Sequence, residues 1–154
     1  MYKEMRRKDR AIDNEAARAL LNDGTYGVLS TTDANNQPYG IPLSYAVMDD
    51  EIFIHCANEG HKLDNIMSNR KVSFCVVGQT ELLPDKFSTR YESVIVFGTA
   101  SIVTGDKKRA PLIALLGKYS PAHMESGRKY IDKLINKTVV IKVSIDHITG
   151  KARK

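Results

Sequence analysis

At 154 residues the chain has the length of one domain, spanning 1–154. Its 42% hydrophobic and 27% charged residues, with 10 Gly and 5 Pro, supply one real core and exclude disorder, collagen and low complexity. The formal charge of +5 sits at the two ends, +3 in the N-terminal arm 1–10 and +3 in the tail 151–154, which leaves the span between them at −1. Basic residues confined to chain ends read as solvated tails rather than as a nucleic-acid face. No apolar run approaches the ~18 residues of a membrane span, and the charged start leads into no apolar stretch. Two cysteines in a chain without a secretory signal argue for free thiols in a reducing interior, so a cytoplasmic domain with no membrane or nucleic-acid partner is expected.

Asp13 is placed to cap a helix running to about Asn22, with Ala16, Ala17, Leu20 and Leu21 as its apolar stripe and Gly24 as its stop. Alternation predicts a strand over 25–32, a turn at 33–38 and a second strand over 39–47. In that second strand Ile41, Leu43, Tyr45 and Val47 share one face, while Gly40, Pro42, Ser44 and Ala46, all small, share the other. Asp49-Asp50 turns the chain into a third strand at 51–57, and a short helix fits 61–69 with Leu63, Ile66 and Met67 inward. Strands follow at 71–78 and 91–104, the latter with Gly98 at mid-length where a bend or bulge belongs. The stretch 84–89 between them reads as a lid-like loop. Asp106 can cap a helix over 107–116, where Pro111 is tolerated only within the first turn. A last helix fits 122–136 with Tyr130, Ile131, Leu134 and Ile135 inward, and a sixth strand fits 137–148 with Val139, Ile141, Val143 and Ile145 in phase. Strands in sequence-adjacent pairs make no βαβ units. The economical solution is a mainly β fold, a six-stranded antiparallel barrel with peripheral helices, because closure removes exposed edges.

Familiar catalytic signatures are missing. There is no G-x-G-x-x-G after the first strand, no P-loop around Gly117-Lys118 and no G-x-S-x-G. The histidines at 55, 61, 123 and 147 are scattered and no Cys-x-x-Cys or His-Glu-x-x-His occurs, so no protein-built metal site is expected. His55 and Cys56, as strand neighbours, point to opposite faces and cannot chelate together. Any redox chemistry would fall to a cofactor. One stretch stands out: His55-Cys-Ala-Asn-Glu-Gly-His-Lys62 ends a strand, turns at Gly60 and opens a helix at His61. Free N–H groups at a helix start, beside an imidazole and an ammonium, suit a phosphate, and a glycine lets it approach the backbone. On these residues alone a plain turn with a solvated Lys62 serves as well, and His55 among Ile52, Phe53 and Ile54 is better taken as a core histidine bonded to a carbonyl. Cys56 and Cys75 read as small buried hydrophobes.

The stretches Met5-Arg-Arg-Lys-Asp-Arg-Ala-Ile12, Gly27-Val-Leu-Ser30, Gln37-Pro-Tyr-Gly-Ile-Pro-Leu-Ser-Tyr45, 55–64, Lys71-Val-Ser-Phe-Cys75 and Tyr91-Glu-Ser-Val-Ile-Val-Phe-Gly98 occur in a recognisable order over nearly the whole chain. On these the sequence resembles the pyridoxamine 5′-phosphate oxidase-like split β-barrel flavoproteins, and within them the nitroimidazole-resistance proteins. The resemblance implies a split barrel that binds FMN at a homodimer interface, each site built from both chains. It implies that Pro42, Leu43, Ser44 and Tyr45 run along the isoalloxazine ring, and that His55 meets the ring or ribityl chain as the candidate proton donor. It further implies that the 57–62 turn, through Ala57, Glu59, Gly60, His61 and Lys62, receives the phosphate, and that Ser93 touches the flavin. Arg90 and Tyr91 are read as surface residues ahead of a cross-dimer role. Flavin-dependent reduction of a small flat acceptor, such as a 5-nitroimidazole, is the implied activity. Oxidation of pyridoxamine phosphate is not, since the tail Gly150-Lys-Ala-Arg-Lys154 does not match the basic substrate-phosphate motif. The alternative is a non-catalytic flavin or haem storage or sensor protein, with His55 or His61 as axial ligand.

Overall fold

The computed structural model describes residues 1–154. The strands are β1 (Ala11–Ile12), β2 (Gly27–Thr32), β3 (Pro38–Leu43), β4 (Ala46–Met48), β5 (Glu51–Cys56), β6 (Lys71–Leu83), β7 (Ser88–Val103) and β8 (Val139–Arg153). The helices are α1 (Asn14–Asp23), α2 (His61–Ser68), α3 (Arg109–Tyr119) and α4 (Met124–Leu134). All pairings are antiparallel, in the order β3-β2-β6-β7-β8-β5-β4, with β1 added to β8. The two ends of that path, β3 and β4, are separated in the chain by only Ser44 and Tyr45. Three residue steps reach about 10 Å, so the sheet must roll until its edges nearly meet. They do not pair with each other, which leaves the barrel split at Ser44–Tyr45.

Each strand around the split feeds two cores by alternation. Inward residues such as Leu29, Tyr45, Ile52, Ile54, Phe74, Val94, Val96 and Ile141 fill the barrel, which α1 closes with Ala17 and Leu21 and α2 with Leu63 and Ile66. Tyr45 and Phe74 meet edge to face there, 4.9 Å between ring centroids. The outward residues Ala46, Phe53 and Val140 pack instead under Leu112 and Leu115 of α3 and Ile131 of α4. No helix is long and apolar enough to cross a membrane.

The mainly antiparallel split barrel is the expected fold, and the element boundaries shift for physical reasons. The expected second strand breaks in two, β3 and β4, at the split. The four strands β6, β7, β8 and the short β1 extend pairing that the alternation left out: β6 and β7 continue to Leu83 and Ser88, so 84–89 is not a lid but a tight hairpin end. The basic ends are solvated only in part: residues 1–4, Arg6, Lys8 and Lys154 are exposed, but the sheet draws in the rest. β8 carries Lys151 and Arg153 within the sheet, β1 pairs with Gly150 and Lys151, and Arg10 and Lys151 converge on the Tyr91 ring from opposite chain ends. Asp13 caps α1 by accepting the Ala16 N–H at 2.8 Å, but Ala16 itself is exposed. Met67 is 77% exposed, and the inward position on α2 belongs to Asn65, which donates to the Thr31 hydroxyl at 2.9 Å. α3 begins at Arg109 rather than 107, which places Pro111 in its first turn. Tyr130 is exposed, not inward. Gly98 does mark a bulge, where β7 and β8 slip register against each other.

Candidate functional site

The split is where the site can form. β3 presents Tyr39, Ile41 and Leu43 inward and Pro38, Gly40 and Pro42 outward; Ser44 continues the open face and Ala46 disappears beneath α3. Edge position tolerates the two prolines, which have no N–H to offer a neighbour. Tyr45, at the gap, has no strand partner on that side, and the end of α3 supplies one. The Tyr119 hydroxyl accepts the Tyr45 N–H at 3.0 Å and donates to the Thr25 carbonyl at 2.5 Å. Lys118 Nζ donates to the Tyr45 carbonyl at 2.9 Å and lies 3.7 Å from the centre of the Tyr45 ring, and burial there holds its pKa below the ordinary lysine value. Neither residue was legible as part of a site in the sequence. Because an orphaned backbone N–H costs about 1–3 kcal/mol, Tyr119→Phe is expected to lower unfolding free energy by that amount in urea melts.

His55 leaves β5 on the outer side, opposite Ile54 and Cys56, as strand alternation requires. With Ser44 it forms the floor of a cavity of about 450 Å³ whose walls are α3 and α4. The surrounding protein and the nearby Lys62 ammonium both hold His55 below its ordinary value, burial being the larger cause, although one side of the ring stays open to solvent. Burial pushes the Cys56 and Cys75 thiols up, so both remain protonated and unreactive near neutrality. A depressed imidazole binds its proton less readily folded than unfolded. The stability this confers is therefore present above about pH 6.5 and is lost as pH falls below it. A urea midpoint that drops between about pH 7.5 and pH 5.5, and drops less in His55→Asn, is the expected result.

Downstream, Ala57, Asn58 and Glu59 are exposed and Gly60 adopts φ 147°, ψ 171°, a conformation reserved in practice for glycine. A Cβ at Gly60 would meet nothing within 4 Å, so the glycine is required by the backbone turn and not by crowding. α2 then starts with no side chain capping its first N–H groups. The His61 imidazole lies on the Tyr39 ring, 3.9 Å between centroids, which ties the start of α2 to β3. Uncapped amides, with Lys62 in the same turn, could receive an anion there, although Asp64 also lies in the first turn of α2.

Ser93 is elsewhere. It pairs with Val77 and Lys151 and borders a separate cleft of about 240 Å³ with Lys3, Met5 and Ile95. From Pro42 the outer face runs through Val28 and Cys75 to Ile95, then one residue pair along β7, about 16 Å at ordinary strand spacings. One chain brings Ser44, Tyr45 and His55 together, with the 57–62 turn at the end of the same strand, and leaves Ser93 apart. Arg90 is engaged with Glu81 at 2.7 Å on the surface, whereas the Tyr91 hydroxyl faces Arg10 at 3.4 Å.

Residues 13–152 match the family described as pyridoxamine 5′-phosphate oxidase. No curated protein matches the sequence. Among solved structures, the chain is similar to a candidate 5-nitroimidazole antibiotic resistance protein from Bacteroides thetaiotaomicron, with TM-score 0.79, 23% identity, and coverage of 92% of this chain and 85% of that one. It is similar to the flavocytochrome Anf3 from Azotobacter vinelandii, with TM-score 0.83, 20% identity and coverage of 98% and 72%. It is also similar to an FAD and haem binding protein from Mycobacterium smegmatis, with TM-score 0.80, 21% identity and coverage of 92% and 72%. At these identities the likeness establishes the shared split-barrel fold.

Proposed function

The chain belongs to the pyridoxamine 5′-phosphate oxidase family, and from that premise we propose that it is a cytoplasmic FMN-dependent oxidoreductase, working as a homodimer on a small flat acceptor such as a 5-nitroimidazole. The observation that carries the reading is the uncapped start of α2 at Gly60, beside Lys62 and at the end of the strand that presents His55 to the split. The residues fit FMN. The α2 amides, Lys62 and His61 would take the phosphate, with Ala57, Glu59 and Gly60 shaping the turn around it. Gly40, Pro42 and Ser44 offer a face without bulky side chains on which a flat ring can lie against the backbone, with Leu43 and Tyr45 anchoring that segment from the barrel interior. Bound there, FMN would supply the electron transfer that no side chain of this protein can perform. The protein's own part is placement: Tyr119 and Lys118 fix the Tyr45 peptide, α3 and α4 shield one side from water, and His55, whose imidazolium form burial and Lys62 disfavour, would donate a hydrogen bond from its neutral imidazole N–H rather than transfer that proton.

A second copy completes the site in this reading. The outer face that carries Ser93 also exposes Val77, Ile95 and Phe97 at 59%, 40% and 38%, an apolar surface suited to association. Two chains placed face to face would bring one copy's Ser93 toward the other's split. The free thiols Cys56 and Cys75 fit a reducing compartment.

A second reading, a non-catalytic flavin or haem carrier, is favoured by one observation. His55 is held in its neutral, ligand-competent form at the edge of a cavity. An absorbance spectrum of the purified protein separates the two. Flavin bands that bleach with dithionite and return on adding a nitroimidazole support the oxidoreductase. A Soret band, or flavin that never reoxidises, supports the carrier. Protein that retains no added FMN contradicts both flavin readings.

A further inference from the structure

The cavity above Ser44 and His55 has a chemical character of its own. At about 450 Å³ it falls in the range of sites that hold drug-sized ligands, more than a single five-membered ring needs. Its walls are Leu112, Leu115 and Leu116 from α3 and Ile131 and Leu134 from α4, with Tyr130 at the rim. No Lys, Arg, Asp or Glu lines it. The cation nearest along the chain, Lys118, is committed to the Tyr45 carbonyl and ring. The one titratable nitrogen base on the floor, His55, is kept uncharged by burial and by Lys62. What remains for a ligand to bond is neutral: an imidazole and hydroxyls such as Ser44. Gly127 of α4 lets the two helices close the far end, because a Cβ there would stand 2.2 Å from Leu116 Cδ1.

We propose that this cavity is the second-ligand site of the protein and selects uncharged aromatic compounds of about two fused rings, rejecting carboxylates and phosphates of the same shape. The inference rests on the flavin reading only for which ring lies beside the ligand at Ser44. Its physical basis is independent. An aromatic body recovers the apolar area of five aliphatic side chains, whereas an anion would be desolvated among them with no cation in the cavity lining to bond it, Lys62 acting on the His55 floor only from outside that lining. A pocket meant for a substrate phosphate would show an arginine or lysine directed inward, as charge-assisted recognition requires.

The test compares 2-naphthamide with 2-naphthoate, equal in shape and different in charge, by calorimetric titration at pH 7.5 into protein with and without FMN. The expected result is binding of the amide and at least about a hundredfold weaker binding of the carboxylate. Tyr130→Arg, a change at a 66% exposed position that folding tolerates, should narrow that gap by raising affinity for the naphthoate. Equal affinities, a preference for the anion, or no binding of the amide would overturn the proposal. If the discrimination holds but FMN is not retained, the flavin reading fails and this site stands. If FMN is retained and discrimination is absent, this site alone is wrong.

Discussion

Lys62→Ala is expected to weaken FMN binding by about ten- to a hundredfold while leaving the melting temperature of the flavin-free protein nearly unchanged. The Lys62 ammonium makes no ion pair within the protein, so folding loses little when it goes. Lys62 is the second residue of α2, which opens with uncapped N–H groups, and a charge-assisted bond to phosphate contributes about 1.5–3 kcal/mol. The same variant has a second readout. Lys62 is one of the two causes that depress His55, so its removal should raise the His55 titration midpoint toward the ordinary imidazole value, read by NMR. A loss of FMN affinity without that shift would mean that Lys62 does not face the site.

Gly98→Ala is expected to cost about 3 kcal/mol of stability. A Cβ at Gly98 would stand 2.3 Å from the Ser144 carbonyl oxygen and 2.7 Å from Val143 Cγ1. The first of these is backbone, fixed by ladder pairs on either side of the bulge, so it cannot swing away as a side chain would. A denaturant midpoint within error of the unmodified protein would show that the bulge relaxes and that close approach is not why glycine sits there.

Both variants bear on what the sequence disclosed. Gly98 was legible because a glycine weakens a long β-branched run unless a bulge or a close backbone approach needs it. The small face of Gly40, Pro42 and Ser44 was legible because alternation assigns faces without knowing the neighbours, and the family likeness told which ligand such a face would suit. Tyr119 and Lys118 were not legible. They lie 74 and 73 residues from Tyr45 and meet it only because the sheet rolls up and α3 ends at the gap. The cavity walls were half legible: Leu112, Leu115 and Leu116 show helical spacing, but spacing cannot say whether a stripe faces a core or a cavity, since both are apolar. Tyr130 and Met67 were placed inward by the same rule and face out, because a helix on the outside of a barrel buries a narrow stripe. The basic ends look like tails in sequence; only the pairing of β1 with β8 draws them together. Ser93 illustrates the remaining limit, for its place on β7 was legible while its separation from the split follows from strand order.

On the flavin reading, the turn from Gly60 to Lys62 would hold the phosphate of an FMN whose ring lies along Pro42–Tyr45. FMN and riboflavin differ only in that phosphate, and titrating each side by side, followed by quenching of flavin fluorescence, isolates its contribution. FMN is expected to bind at least about tenfold more tightly, the contribution of one or more charge-assisted bonds, with a preference that shrinks in Lys62→Ala. Equal affinities for the two compounds, or a preference untouched by Lys62→Ala, would contradict that reading.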